Sequence, residues 1–132
     1  MKHLPNIAGA LLGLLFIAFS VIYFFKLMDM PPPPAGSPPA LFMQALVPTG
    51  YMNFVKTCEL LGGILTAIPR TRNFGLLLLG PVIMNILAFH VFLTNGAGLT
   101  DPPLVLICLL AAYLLWDGRK AFLGLARTHK EA

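Results

Sequence analysis

Between Ile7 and Phe25 the chain reads IAGALLGLLFIAFSVIYFF, nineteen residues without a charge. At about 1.5 Å per residue a helix of this length crosses a hydrocarbon core of about 30 Å. Lys2 ahead of it has the look of a signal peptide's basic start. The run is longer than the usual signal core of about 7–15 residues, however, so an uncleaved first span is expected. The rest of the chain agrees. Charged residues make up 11%, against about a quarter in soluble proteins, too little to cover a water-facing globule. Disordered chains need the opposite balance of charge and hydrophobicity.

Phe74 to Leu93 is a second clear span, interrupted only by Pro81, Asn85 and His90. Leu104 to Trp116 is shorter. Pro102 and Pro103 suit its first turn, with Thr100 or Asp101 as the cap. Past Trp116 the helix is expected to continue to Ala126, with Arg119 and Lys120 snorkelling. Tyr51 to Ile68 is harder, because Lys56 and Glu59 lie inside it. Charge layout decides. If this segment crosses, Lys2, Arg70, Arg72, Arg119, Lys120, Arg127 and Lys130 share one side. That is seven of the nine basic residues, as the positive-inside rule requires. The net charge of +4 then reads as topology and contact with anionic lipid headgroups on the cytoplasmic side, not as nucleic-acid binding.

The expected fold is all-α, an integral membrane four-helix bundle of up-down topology with both termini cytoplasmic, in one domain covering 1–132. Its spans fall at approximately 6–28, 51–69, 73–94 and 102–120, with a Pro-rich outer loop over 30–50. Within that loop MPPPPAGSPP is a stiff polyproline linker. Ala40 to Val47 is expected to form two helical turns on the outer surface, ended by Pro48-Thr49-Gly50.

Ionisable groups inside spans are functional hypotheses by default. The topology puts Lys56 about 7 Å and Glu59 about 12 Å below the outer boundary, and His90 about 5 Å and Asn85 about 12 Å. All four fall in one outer layer, with Tyr23 and Asn53 peripheral to it. This cluster is a possible ligand or quinone site; an internal Lys56–Glu59 ion pair is the plainer alternative. Asn85 and His90 lie about 140° apart around their helix, so a dispersed network is expected rather than one tight constellation. One intramembrane histidine cannot supply both axial ligands of a haem. Cys58 and Cys108 form no C-x-x-C pair and read as free thiols. Gly9 and Gly13 make a G-x-x-x-G, and with Gly62 and Gly63 they are expected to serve helix packing. No phosphate loop, nucleophile elbow or metalloprotease signature is present.

Two segments resemble the DoxX family of small bacterial membrane proteins. GYMNFVKTCELLGGIL is similar to the family's K-x-x-E-x-x-G-G stretch, met by Lys56, Glu59, Gly62 and Gly63. GPVIMNILAFHVFL is similar to its P-x-x-x-N-I-x-x-F-H stretch, met by Pro81, Asn85, Ile86, Phe89 and His90. The resemblance implies a four-helix membrane fold. Family members include subunits of a thiosulfate–quinone oxidoreductase and proteins linked to redox-stress complexes, while many have no assigned activity.

No catalytic residue and no metal ligand set emerges from this reading. No cofactor is evident, although a quinone fits the polar layer. The leading expectation is a multi-pass bacterial inner-membrane protein without catalysis of its own, an accessory or assembly subunit partnered by other membrane subunits or by copies of itself. The second expectation is a quinone-linked redox component using Lys56, Glu59, Asn85 and His90. A small-solute carrier ranks last, because four spans carry no repeat.

Overall fold

The computed structural model describes residues 3–29 and 31–127. Lys2, Met30 and Lys130, which entered the charge and linker readings, lie outside them. The described residues are all-helical, with six α-helices and no strand. These are α1 (Leu4–Phe25), α2 (Pro38–Leu46), α3 (Tyr51–Ala67), α4 (Arg72–Ala88), α5 (Pro102–Asp117) and α6 (Arg119–Leu125). A 3₁₀ turn (Pro69–Thr71) precedes α4, and a π turn (Phe89–Leu93) continues it.

The helix ends follow from local chemistry. Lys26 takes a left-handed conformation (φ 52°, ψ 47°), and Leu27 N–H donates to Ile22 O while Lys26 N–H donates to Tyr23 O. This Schellman arrangement stops α1. Ser37 caps α2 by accepting from the Ala40 amide at 3.4 Å, so that helix starts two residues before Ala40. Ile68 is extended (ψ 121°), as a residue before proline prefers, and that ends α3. The last helix does not run through to Ala126 as expected. It breaks at Gly118, separating α5 from α6.

Helices α1, α3, α4 and α5 form a closed circuit in which α1 packs on α3 and α5, and α4 on α3 and α5. The contacts along each pair fix direction. Ser20 and Tyr23 meet Lys56 and Asn53 at one end of the α1–α3 pair, and Gly13 meets Ala67 toward the other. The pair is antiparallel. Likewise Gly62 meets Leu79 while Thr66 meets Gly75, so α3 and α4 are antiparallel.

Two kinds of packing hold the circuit. The α1–α3–α4 contacts are backbone-close: a Cβ on Gly13 would strike the Gly63 carbonyl, and one on Gly62 would lie 2.7 Å from Leu79. The other kind is a side-chain core in which Leu12 and Phe16 of α1, Leu76, Leu79 and Ile83 of α4, and Ile107 and Leu114 of α5 are buried together. Around the outside each of the four helices exposes large apolar groups, among them Ile7, Phe54, Phe74 and Leu109. Leu4–Phe25 and Pro69–Leu93 are long and apolar enough to cross a membrane; Pro102–Asp117 is apolar but shorter.

Candidate functional site

Polar side chains gather at two ends of the helix circuit. At the end where α1 stops and α3 starts, Glu59 is buried, 4% exposed, and its Oε1 receives the Lys56 Nζ at 3.5 Å. The two residues share a face because three residues separate neighbours on a helix surface. Lys56 Nζ also lies 5.7 Å from the centre of the Tyr23 ring, where the ring's negative face favours a cation. Tyr23 Oη donates to Asn53 Oδ1 at 2.8 Å, and Ser20 Oγ donates to the Lys56 carbonyl at 3.4 Å. Together Ser20, Tyr23, Asn53, Lys56 and Glu59 form a polar seam between α1 and α3.

Asn85 and His90 do not join this seam. The inward face of α4 is taken by Leu76, Leu79 and Ile83, so Asn85, on the opposite side of the helix, is exposed. His90 lies on the π turn, half-buried, and its Nδ1 donates to the Ile86 carbonyl at 2.9 Å. A Cβ on Gly98 would meet the His90 ring edge at 2.9 Å, and Gly98 itself has φ +85°. Glycine is needed there both for the left-handed backbone and for clearance of the imidazole. The expected layer of four thus separates into an ion pair on α3, an outward amide on α4 and a histidine packed into the α4–α5 connection.

The π turn is the feature that sequence spacing does not reveal. Thr94 N–H reaches back to Phe89 O at 3.3 Å, and Thr94 Oγ1 donates to His90 O at 2.7 Å. Phe89 packs edge-on against Phe42 of α2, with centroids 5.2 Å apart. Helix α2 and the π turn therefore pack against one another.

At the other end lies a polar group that the sequence reading placed in a loop. Arg72 is the first residue of α4, and its side chain is 9% exposed. Its Nε donates to Thr66 O at 3.1 Å and its Nη1 to Asn6 Oδ1 at 3.2 Å. The guanidinium occupies the space above Gly9, where a Cβ would overlap Nε. Arg72 Nη2 and Thr66 Oγ1 are buried without a partner among the described residues. The side chain joins α1, α3 and α4 at once, instead of contacting headgroups as a loop cation. The signal in the sequence was the conjunction of Asn6 and Gly9, a hydrogen-bond acceptor and a gap one turn apart on α1.

Gly9, Gly13, Gly62 and Gly63 all sit at helix contacts, Gly9 against Arg72 and the others against neighbouring helices. Cys58 and Cys108 are unpaired thiols. Among the described residues no three His, Cys, Asp or Glu side chains converge.

Comparison with known proteins gives one informative relative. The chain is 32% identical over 77 residues to the uncharacterized protein YwoB of Bacillus subtilis (strain 168), covering 58% of this chain and 48% of that protein. It thus spans about half the length of the relative it matches. No family model matches the chain, and no solved structure matches it.

Proposed function

We propose that the protein is a DoxX-like, four-span inner-membrane protein with both termini on the cytoplasmic side, acting as a non-catalytic accessory or assembly subunit of a larger membrane complex. The membrane part rests on exposed apolar surface. Only 33% and 17% of the two most apolar windows are buried, whereas the core helix of a water-soluble protein is mostly buried. Soluble monomers rarely expose apolar patches beyond about 300–600 Å². Helix α3 carries two charges, but its contacts run along α1 from Tyr23 to Gly13. If α1 crosses, α3 crosses with it. The cytoplasmic cations other than Arg72 then meet anionic headgroups.

The accessory role is carried by one observation: the charged and hydroxyl groups between α1 and α3 bond to each other. Glu59 takes Lys56, Tyr23 takes Asn53, and Ser20 takes the Lys56 carbonyl. Asn85 and His90, which a ligand site built from all four residues requires, point elsewhere. Of these groups Ser20 and Glu59 are buried, and polar groups satisfied in this way fix helix register, a use well attested for such residues. The alternative, a quinone-linked redox component, is favoured by the Lys56 ammonium held between Glu59 and the Tyr23 ring, a geometry suited to a quinone carbonyl. Purification of the native protein in mild detergent, with partner identification and quinone extraction, separates the two. A stoichiometric membrane partner without quinone supports the accessory role; bound quinone that is reduced and reoxidised overturns it.

A further inference from the structure

Beyond Gly118 the chain turns from α5 into α6, and the charges there lie on one side. At about 100° per residue, Arg119, Lys120, Leu123 and Arg127 fall within an arc of about 100°, and all four are exposed. Phe122 lies outside that arc, half-buried against the helix core and Gly118. The short helix is thus held by a phenylalanine and presents three cations around a leucine.

One of those cations is already fixed in place. The Arg119 guanidinium lies 4.2 Å from the centre of the Trp116 ring, and its Nη1 donates to the Trp116 carbonyl at 2.8 Å. A guanidinium carries five N–H donors, so this bond occupies only one of them. A side chain held by a ring and a carbonyl loses less freedom on binding, and its planar fork matches two oxygens of a phosphate. Trp116 itself is 66% exposed, at the end of an apolar helix, where an indole suits a membrane–water boundary.

We infer that this corner, Trp116 with Arg119, Lys120 and Arg127, binds the headgroup of an anionic phospholipid. The inference deepens the membrane-spanning reading and rests on it. Charge and apolar surface together select the occupant. The face carries three cations and no acid; Asp117, the acid nearest in sequence among the described residues, ends α5 and acts on Arg72. Leu123, 62% exposed, stands between the cations, where a soluble anion would leave it in water. A bilayer covers it with acyl chain while the long basic side chains reach the phosphates, as in a helix lying in the interface.

Trp116 is the single tryptophan of the chain, so its fluorescence reports this corner alone. The test reconstitutes the full-length protein in symmetric vesicles of phosphatidylcholine and phosphatidylglycerol, with quenching bromine on the acyl chains of one lipid or the other. Phosphatidylglycerol should be preferred at Trp116 on the order of fivefold, the worth of about one cation–headgroup contact. The preference should vanish when Arg119→Gln, Lys120→Gln and Arg127→Gln are combined. Those side chains are exposed and glutamine is a comparable helix former, so folding is not at risk. Identical leaflets make the direction of insertion irrelevant. A reporter moved to the outer end, Phe92→Trp with Trp116→Phe, should show no preference. Equal quenching of Trp116 by the two lipids, the same preference in the triple variant, or an equal preference at residue 92 would each overturn the inference. Quenching of Trp116 by neither lipid would defeat the spanning reading as well.

Discussion

The guanidinium of Arg72 lies directly over the Cα of Gly9, filling the space a side chain would take there. Two helices far apart in sequence thereby share one site: the glycine leaves a notch in α1, and the arginine fills it from α4 while bonding Asn6 and the Thr66 carbonyl. In a chain so poor in charge, this contact assigns a cation a structural place.

Gly9→Ala should displace the guanidinium and disrupt hydrogen bonds made by a charged donor, each worth about 1.5–3 kcal/mol. Alanine's helix preference returns about 1 kcal/mol. The expected net loss is about 1–3 kcal/mol by thermal unfolding in detergent. In an Arg72→Ala background the notch is empty, and Gly9→Ala should become neutral or stabilising. Equal losses in both backgrounds would show that the two residues are not coupled.

Lys56 and Glu59 should be coupled in the opposite sense. Glu59 is buried and Lys56 half-buried, so removing one partner should cost less than the ~3–5 kcal/mol typical of a fully buried pair, while apolar replacement of both can be nearly neutral. Lys56→Met with Glu59→Gln should therefore recover much of the stability lost by the worse single variant. Under the accessory reading, partner binding returns with it. Under the quinone reading, stability returns and turnover does not. Strictly additive losses would remove the ion pair from the account.

The two cysteines should be dispensable. Both are free thiols, on different helices, and neither has a resolving partner adjacent in sequence. Cys58→Ala with Cys108→Ala should retain wild-type expression and stability within about 0.5–1.5 kcal/mol, as for small changes in packing. A mass change on reduction of the native protein, reporting an internal disulfide, would contradict this.

The helix ends that local chemistry sets were legible in the sequence, and the lateral arrangement was not. The segment read as Tyr51 to Ile68 stops where α3 does, just before a proline, and Pro102 marked the start of α5, because proline constrains its own backbone and that of the residue before it. The Lys56–Glu59 contact followed from three-residue spacing alone. Asn85 and His90 were grouped with Glu59 by depth, and their separation of about 140° around an ideal helix already pointed to a dispersed network rather than one constellation. The Leu76–Leu79–Ile83 face turned Asn85 outward, and the π turn at Phe89 carried His90 toward Gly98. Arg72 was read as a loop charge because burial of a cation depends on partners sixty residues away, Asn6 and Gly9, that no local pattern joins to it. The break at Gly118 was missed because a lone glycine inside an apolar helix is often tolerated.

The account depends most on α3 crossing the membrane despite its two charges. Single cysteines at Ser37, before α3, and at Arg70, after it, in a background with Cys58 and Cys108 changed to alanine, test this directly with a membrane-impermeant thiol reagent on intact cells. The account predicts that Ser37→Cys is labelled from outside and that Arg70→Cys is labelled only after the membrane is permeabilised. Labelling of both positions from the same side would contradict it.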